Sequence, residues 1–300
     1  MRIFITGASG FIGEKLTREL IEHGHQVVGL ARNAESAAKI EALGAEARRG
    51  DLTDPAGLAE AAAASDGVVH LAYNHDFSRF QQSGEEDLAA IEAMLAALAG
   101  SGKPFVGTSG TGMIRKDGPI VETDAVRLEG FAVARGRSEI AVIDAARNGV
   151  RSAVVRLPQV HDTPPKGFVP WLVAIAREKG VAAYIGEGAN RWPTVHRMDA
   201  VRLYRLALEK APPGTVLHAV GEEGVALRTI AETIAEGLGV PARSIAAEEA
   251  EAHFGWLGHL AGADNAASSA ITQRTLDWHP REIGMIEDMR ASGYWVQADY

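Results

Sequence analysis

The sequence predicts an α/β protein in which a doubly wound parallel sheet is followed by a smaller C-terminal lobe. Three observations support this fold class: apolar strands alternate with helical stretches through the first half, a glycine-rich turn separates the first strand from the first helix, and prolines and tryptophans gather in the second half. Alternation of strands and helices is typical of parallel sheets with right-handed crossovers. Such sheets bind ligands at the carboxyl ends of their strands.

The run Thr6-Gly7-Ala8-Ser9-Gly10-Phe11-Ile12-Gly13 follows the apolar stretch Ile3-Phe4-Ile5 directly. In this pattern the first glycine permits a tight turn, the second lets the backbone approach a pyrophosphate, and the third lets the helix pack closely. The N-terminus of the next helix favours negative charge. The run therefore predicts a dinucleotide site. An ordinary glycine-rich turn is the alternative, but strand, turn, helix and strand follow in order.

The remaining elements are justified by hydrophobic periodicity along the chain. Strands are expected near 2–6, 26–31, 45–49, 67–71, 104–108 and 151–157, and helices near 11–23, 34–43, 56–64, 84–99 and 128–148. These elements make a dinucleotide-binding domain over 1–157, to which a strand near 216–220 returns. An amphipathic helix is expected near 226–238.

Residues 158–300 form mainly a substrate-binding lobe in this interpretation. All five tryptophans lie in that half, namely Trp171, Trp192, Trp256, Trp278 and Trp295. They could line a substrate cleft, although filling the core of a small lobe is the more common role of a tryptophan.

The composition of the chain indicates which classes of molecule it binds. The chain has 300 residues, 46% of them hydrophobic, which suffices for a sizeable core. Acidic residues outnumber basic ones by 39 to 30 and no basic cluster stands out, so we expect a small-molecule substrate and neither nucleic acid nor a membrane surface as partner.

The absence of cysteine removes thiol nucleophiles, disulfides and thiolate metal sites, and it weakly favours the cytosol. A strand that starts at residue 2 leaves no room for a signal peptide, and no apolar run reaches the roughly 18 residues of a membrane helix. We therefore expect a cytoplasmic protein.

Several segments resemble the short-chain dehydrogenase/reductase superfamily, in its extended, epimerase/dehydratase-like branch with a Rossmann-type sheet. TGASGFIG matches the TGxxGxxG pattern of that branch. Further segments that are similar to the branch are Gly50-Asp51-Leu52, His70-Leu71-Ala72-Tyr73, Val154-Val155-Arg156-Leu157-Pro158, Val195-His196-Arg197-Met198-Asp199-Ala200 and Leu276-Asp277-Trp278-His279-Pro280. The resemblance implies cofactor contacts from Gly7, Gly10, Phe11, Ile12, Gly13, Asp51, Leu52, Ala72 and Tyr73.

The end of the second strand indicates which cofactor is bound. An NAD site usually carries an acidic residue there, which accepts hydrogen bonds from the ribose hydroxyls. This chain has Arg32, and a guanidinium suits a 2′-phosphate because it can donate paired hydrogen bonds. We expect NADP, with NAD still possible. The alternative is that Arg32 is a solvated residue at the start of a helix.

The chain departs from the superfamily where that family places its catalytic Tyr and Lys. No YxxxK sequence is present, and the corresponding positions fall on Phe131 and Arg135. Phenylalanine cannot donate a proton, whereas Arg135 could hold the ribose or a phosphate as a fixed cation. The usual Ser/Thr position after the fifth strand falls on Gly110, with Ser109 and Thr111 on either side.

Other side chains could polarise or protonate a substrate oxygen. The candidates are Tyr73, His75, Ser109, Thr111, His161 and His196. His75 follows the fourth strand and is suited to acid catalysis near neutral pH, although a capped surface histidine is the common alternative. Arg191, Trp192 and His196 lie where related proteins border the substrate pocket, and surface packing explains Arg191 equally well. No catalytic metal is expected, because no HExxH or HxxxH motif occurs.

The resemblance leaves three functional hypotheses. The first is an NADP(H)-dependent oxidoreductase acting on a small carbonyl or hydroxyl compound, with Ser109 or Thr111 orienting the substrate. The others are an epimerase or dehydratase that uses the nicotinamide transiently, and a non-catalytic NADP-binding sensor. A homodimer is possible through the helices near 84–99 and 128–148, whose alanines would permit close approach or would pack on the sheet.

Overall fold

The computed structural model describes residues 1–74, 79–130, 132–291 and 293–295, with Phe80 described by its backbone alone. Its strands are β1 Arg2–Thr6, β2 Gln26–Ala31, β3 Glu46–Arg49, β4 Gly67–His70, β5 Pro104–Gly110, β6 Arg151–Leu157, β7 Gln159–His161, β8 Ala182–Ile185, β9 Arg191–His196, β10 Thr215–His218, β11 Glu222–Ala226 and β12 Ala242–Ile245. Its helices are α1 Phe11–Glu22, α2 Ala34–Ala42, α3 Pro55–Ala63, α4 Phe80–Leu98, α5 Ala132–Asp144, α6 Val169–Lys179, α7 Arg197–Lys210, α8 Leu227–Leu238, α9 Ala250–Phe254, α10 Gly258–Gly262, α11 Ala270–Leu276 and α12 Met285–Ala291.

Seven strands form the central sheet in the order β10-β6-β5-β4-β1-β2-β3, and every pairing in it is parallel. The order reverses beside β1, between β4 and β2, which is where open parallel sheets bind their ligands. The predicted fold class is therefore confirmed. Strand β10 joins the sheet after a long excursion of the chain, at the edge beside β6.

Two smaller sheets lie in the second half of the chain. One has the order β11-β9-β7, and the other pairs β12 with β8 in parallel. These strands are short and carry no alternating pattern, so periodicity did not predict them.

Separate apolar clusters cover the two faces of the central sheet. One face packs against α1 and α7, with Leu16, Leu20 and Tyr204 fully buried. The other face packs against α3, α4 and α5, around Phe105 and Met94. A further cluster holds the second half together around α6, α8 and the buried Trp192.

The structure corrects two details of the sequence prediction. Helix α4 begins at Phe80, four residues earlier than expected, and the stretch expected as one helix over 128–148 is α5 followed by a 3-10 turn over Ala145–Asn148.

Trp278 belongs to the core cluster of the central sheet, and its Nε1 donates to the carbonyl of Asp199. No helix of the described residues is long and apolar enough to cross a membrane.

Candidate functional site

The glycine-rich turn has the geometry that a pyrophosphate requires. Gly7 has a φ of +77°, and a Cβ there would lie 2.9 Å from the backbone nitrogen of Ala72. A Cβ on Gly13 would lie 2.0 Å from the carbonyl oxygen of Gly7, so helix α1 packs directly on the turn. A Cβ on Gly10 would have only that same oxygen nearby, at 3.2 Å. The surface above Gly10 is therefore open to a ligand.

Helix α1 presents its free N–H groups at this open surface. Gly10 is its N-cap residue and provides no side-chain cap. In helix geometry the first N–H groups, here those of Phe11, Ile12 and Gly13, have no intrahelical acceptor. These groups and the helix dipole form an anion site, so the residues present fit a dinucleotide pyrophosphate.

Two arginines lie together where the adenosine end of a dinucleotide would lie. Arg32 follows β2 and is exposed, and the exposed Arg49 at the end of β3 donates to the Arg32 carbonyl over 3.4 Å. Asn33 caps helix α2. Hydrogen bonds from the backbone and side chain of Thr53 lower the pKa of Asp51, which burial opposes and the charge of Arg32 assists. Sequence reasoning identified Arg32 and missed Arg49, because its position depends on the pairing of β3 with β2.

Leu52 and Ala72 line the neighbouring strand ends. Leu52 is half-buried against the core on the α3 and α4 side. The backbone N–H of Ala72 donates to Thr6 Oγ1 over 3.2 Å, which ties the segment after β4 to the end of β1.

Arg135, which the sequence resemblance aligns with the lysine of the superfamily, lies on helix α5. Its guanidinium lies 4.0 Å from the centre of the Tyr73 ring, and its Nη2 donates to the Thr108 carbonyl over 3.0 Å. Burial raises the pKa of Tyr73, against the opposing charge of Arg135. Tyr73 is thus a neutral phenol at pH 7. The structure brings together the predicted residues Tyr73, from the segment after β4, and Arg135, from α5, at the carboxyl edge of the sheet.

A buried polar chain fixes helix α5 beneath Arg135. Thr6 Oγ1 lies 2.8 Å from His70 Nδ1, His70 Nε2 lies 3.1 Å from Asp87, and Ser138 Oγ donates to Asp87 over 2.6 Å. Burial would raise the pKa of Asp87, but the hydrogen bonds and charges of His70, Arg135 and Ser138 outweigh it and lower that pKa. Each of the four linked residues is at most 2% exposed.

The two hydroxyl residues beside Gly110 are both buried, with Ser109 4% and Thr111 1% exposed, and they differ in their hydrogen bonds. Ser109 Oγ has no hydrogen-bond partner among the described residues. Thr111 begins a 3-10 turn after β5, and its Oγ1 accepts a long hydrogen bond of 3.5 Å from Asn265 Nδ2. Asn265 was not predicted, because the loop that carries it is remote in sequence and shows no motif.

The three residues predicted to contact substrate have protein partners in the second half of the chain. Arg191 makes a two-point ion pair with Asp264, and Trp192 Nε1 donates to the Leu260 carbonyl. His196 Nδ1 accepts from the Met198 N–H and caps helix α7. Burial lowers the pKa of His196, which the charge of Asp162 opposes. Their contact with substrate stays a prediction.

His161, another candidate donor, is buried, and its Nδ1 lies 2.9 Å from Asp288 Oδ2. The candidate His75 and the position of Phe131 lie outside the described residues. Among the residues that the structure describes, no group of three or more His, Asp or Glu side chains could hold a metal ion.

With this geometry in place, comparison with known proteins identifies the family. The model of the NAD dependent epimerase/dehydratase family matches residues 3–219. The chain belongs to this family. The uncharacterized protein YLL056C of Saccharomyces cerevisiae is 45% identical over 295 residues, covering 97% of this chain and 99% of its own.

More distant relatives show how varied the family is. A 4-hydroxy-2-methyl-3-oxo-4-farnesyl-3,4-dihydroquinoline-1-oxide ketoreductase of Stigmatella aurantiaca is 27% identical, covering 85% of this chain and 80% of its own. The structure of DesIV, a dTDP-glucose 4,6-dehydratase of Streptomyces venezuelae with NAD and TYD bound, superposes with a TM-score of 0.77 at 20% identity and covers 97% and 96% of the two chains. That likeness shows the fold of NAD-binding enzymes.

Proposed function

We propose that the protein is an NADP(H)-dependent oxidoreductase that transfers hydride between the nicotinamide and a small organic carbonyl or hydroxyl compound. The observation that carries the proposal is the placement of Arg135 at the carboxyl edge, in contact with Tyr73 and the Thr108 carbonyl, beside an open phosphate-binding turn. The relative from Stigmatella aurantiaca is named a ketoreductase, which supports reduction over epimerisation.

In the reductive direction, a nicotinamide bound here would supply hydride to the carbonyl carbon, and the carbonyl oxygen would take a proton that comes ultimately from water, giving an alcohol and the oxidised cofactor. Arg135 would hold the ribose or a phosphate, because a guanidinium keeps its charge. Thr111 orients the carbonyl oxygen. Since Asn265 donates to Thr111 Oγ1, the hydroxyl hydrogen of Thr111 is left to donate to the substrate.

The preference for NADP is argued from Arg32 and Arg49. Two neighbouring exposed guanidiniums can both donate to a 2′-phosphate, and they gain little from a bare hydroxyl. We expect Arg32→Ala to weaken NADPH binding by about tenfold or more and NADH binding by less than threefold, measured by fluorescence titration. Arg48→Ala is the matched control, because Arg48 is engaged with Glu60 and the Gly57 carbonyl. Equal losses for both cofactors would contradict the assignment.

Activity is tested by following NADPH consumption against a panel of aldehydes and ketones. We expect Thr111→Val to lower kcat by about 100-fold with little change in NADPH affinity, since it removes the hydroxyl and keeps the shape. Ser109→Ala is the comparison, and a larger loss there would move the orienting role to Ser109.

Two outcomes of the same assay correspond to the other functional hypotheses. Cofactor binding without consumption across the panel would indicate a non-catalytic NADP-binding protein. Conversion of a substrate without net loss of NADPH would indicate an epimerase or dehydratase.

A further inference from the structure

Three aromatic side chains form a cluster in the second half of the chain. The Phe168 and Trp256 rings meet edge to face at 6.2 Å between centroids, and Trp171 and Trp256 meet in the same manner at 5.9 Å. Trp171 is 40% exposed and Trp256 is 52% exposed. Phe168, Trp171 and Trp256 are called the aromatic cluster below.

The cluster is joined to the strand end at which a substrate would react. Strand β6 ends at Leu157, opposite Gly110 in the register with β5. Two residues later, Gln159 Oε1 accepts a hydrogen bond from the Phe168 N–H over 3.0 Å. The Gln159 amide also donates to the Lys166 carbonyl over 3.4 Å. The loop that ends at Phe168 therefore folds back onto the start of β7, two residues beyond the end of β6.

The segment that carries Trp256 contacts the loop after β5. Arg115, in the loop after β5, donates to His259 Nε2 over 3.0 Å. Asn265, a few residues later, contacts Thr111. The segment 254–265 thus contacts the loop after β5 through these residues and the loop after β7 through the Trp256 and Phe168 rings. The aromatic cluster lies where these two loops meet the segment 254–265.

Few cationic side chains near the aromatic cluster are available to bind the diphosphate of a nucleotide sugar. Arg191 is paired with Asp264 and Lys116 with Asp124, so carboxylates balance both charges. Arg115 donates to His259 and keeps its charge. Lys166 is exposed and has no ion pair among the described residues, so it is a single charge on the loop. Indole and phenyl rings with few available cations favour an uncharged, ring-bearing ligand.

We propose that the substrate is an aldehyde or ketone whose body is aromatic and uncharged, and that this body packs against Trp256 and Trp171. The inference rests on the proposed function, since it takes the reacting carbonyl to lie beside Thr111. It distinguishes this chain from relatives whose names specify nucleotide sugars.

The test compares 3-phenylpropanal with propanal, which share a reacting group and differ in the ring. We expect kcat/KM to be at least tenfold higher for 3-phenylpropanal, mostly through KM, because burying an apolar group typically changes binding by that factor or more. Trp256→Ser should lower the ratio of the two kcat/KM values about tenfold, and Trp256→Phe should restore most of it. Ile283→Ala, which truncates an apolar side chain 40% exposed outside the cluster, should leave the ratio unchanged.

A binding measurement separates this inference from the proposed function. We expect 3-phenylpropan-1-ol, titrated by calorimetry in the presence of NADP, to bind wild type at least tenfold more tightly than Trp256→Ser. If neither aldehyde is reduced but the alcohol binds in this way, the result supports binding at the aromatic cluster and contradicts the proposed reductase activity. If propanal and 3-phenylpropanal are reduced equally, or if the alcohol binds wild type and Trp256→Ser alike or not at all, the proposed role of the aromatic cluster is contradicted. Displacement of the alcohol by UDP-glucose would likewise contradict it.

Discussion

Gly10 and Gly13 have different roles although they share one turn. A Cβ on Gly13 would overlap the Gly7 carbonyl oxygen at 2.0 Å, whereas a Cβ on Gly10 would meet it at 3.2 Å and would otherwise project into open space. Gly13 serves the packing of helix α1, whereas Gly10 leaves the surface open where we propose that the pyrophosphate binds.

These two positions give a matched pair of alanine variants. We expect Gly13→Ala to lower the free energy of unfolding by about 2 kcal/mol or more, because the overlap is with backbone. Gly10→Ala should change stability by less than about 1 kcal/mol and weaken NADPH binding at least tenfold. Urea unfolding and fluorescence titration of both variants check this. A Gly10→Ala protein that binds NADPH normally would contradict the assigned pyrophosphate position.

Asp87 contributes a pH-dependent stability. Its pKa is lowered in the folded protein, so its contribution is complete above the unfolded pKa near 4 and is lost as pH falls toward the folded pKa. Because Asp87 bonds to both His70 and Ser138, Asp87→Asn should cost about 3 kcal/mol at pH 7.

Urea unfolding at pH 7, 5, 4 and 3 measures this dependence. The stability gap between wild type and Asp87→Asn should be constant from pH 7 to 5 and narrow below about pH 4. A gap that widens on acidification would show that Asp87 is not ionised in the folded protein.

At the scale of elements, helix α5 is held to the sheet by a buried ion pair. Glu139 accepts from Arg156 Nε and Nη2, and both side chains are about 1% exposed. His218 Nδ1 lies 2.8 Å from the Ser268 carbonyl, to which it must donate, so its Nε2 accepts from Arg156. Burial lowers the pKa of His218, which agrees with a neutral ring. The helix that carries Arg135 is thereby fixed relative to β6 and β10.

Removing one partner of this pair leaves a buried charge. We expect Glu139→Gln to lower the free energy of unfolding by about 3–5 kcal/mol, measured by urea unfolding at pH 7. Asp144→Asn is the control on the same helix, since its pair with Arg147 is exposed and should be worth under about 1 kcal/mol. Similar losses in both variants would contradict the anchoring role of Glu139.

The elements of the central sheet could be predicted because their apolar runs match the periods of strands and helices. The phosphate-binding turn was predictable for a similar reason, as glycine spacing reports backbone geometry directly. The sequence did not indicate that Arg49 lies beside Arg32 or Asn265 beside Thr111, because each of these neighbours comes from a different segment of the chain. Trp278 could not be placed from the sequence either. It lies beyond residue 158, in the part expected to form mainly the substrate-binding lobe, but it packs into the core of the central sheet.

At the scale of the whole molecule, Arg197 connects the phosphate-binding turn to the loop that leads to the aromatic cluster. Its guanidinium lies 4.4 Å from the centre of the Phe11 ring, donates to the Phe11 carbonyl, and pairs with Asp162 over 2.7 Å. Arg197 is only 4% exposed. The same buried guanidinium therefore contacts both the end of the glycine-rich turn, at Phe11, and the start of the loop after β7, at Asp162.

Arg197→Lys should loosen both loops, because an ammonium cannot stack on Phe11 and pair with Asp162 in the same geometry. We expect NADPH affinity to fall about tenfold and KM for the aldehyde to rise, with kcat changed less. Arg202→Lys is the control on the same helix, since Arg202 pairs with Asp199 and Glu282. If the two variants behave alike, Arg197 has no special role in connecting the loops.

The central claim is that hydride passes between a nicotinamide and a carbonyl carbon in the absence of the usual tyrosine. It is tested most directly by incubating the protein with NADPH deuterated at both C4 positions and an aldehyde, and analysing both products by mass spectrometry and NMR. We expect deuterium from one face of the nicotinamide at the alcohol carbon, in equal amount to the NADP formed. Deuterium that remains wholly on the cofactor, with NADPH bound, would contradict the account.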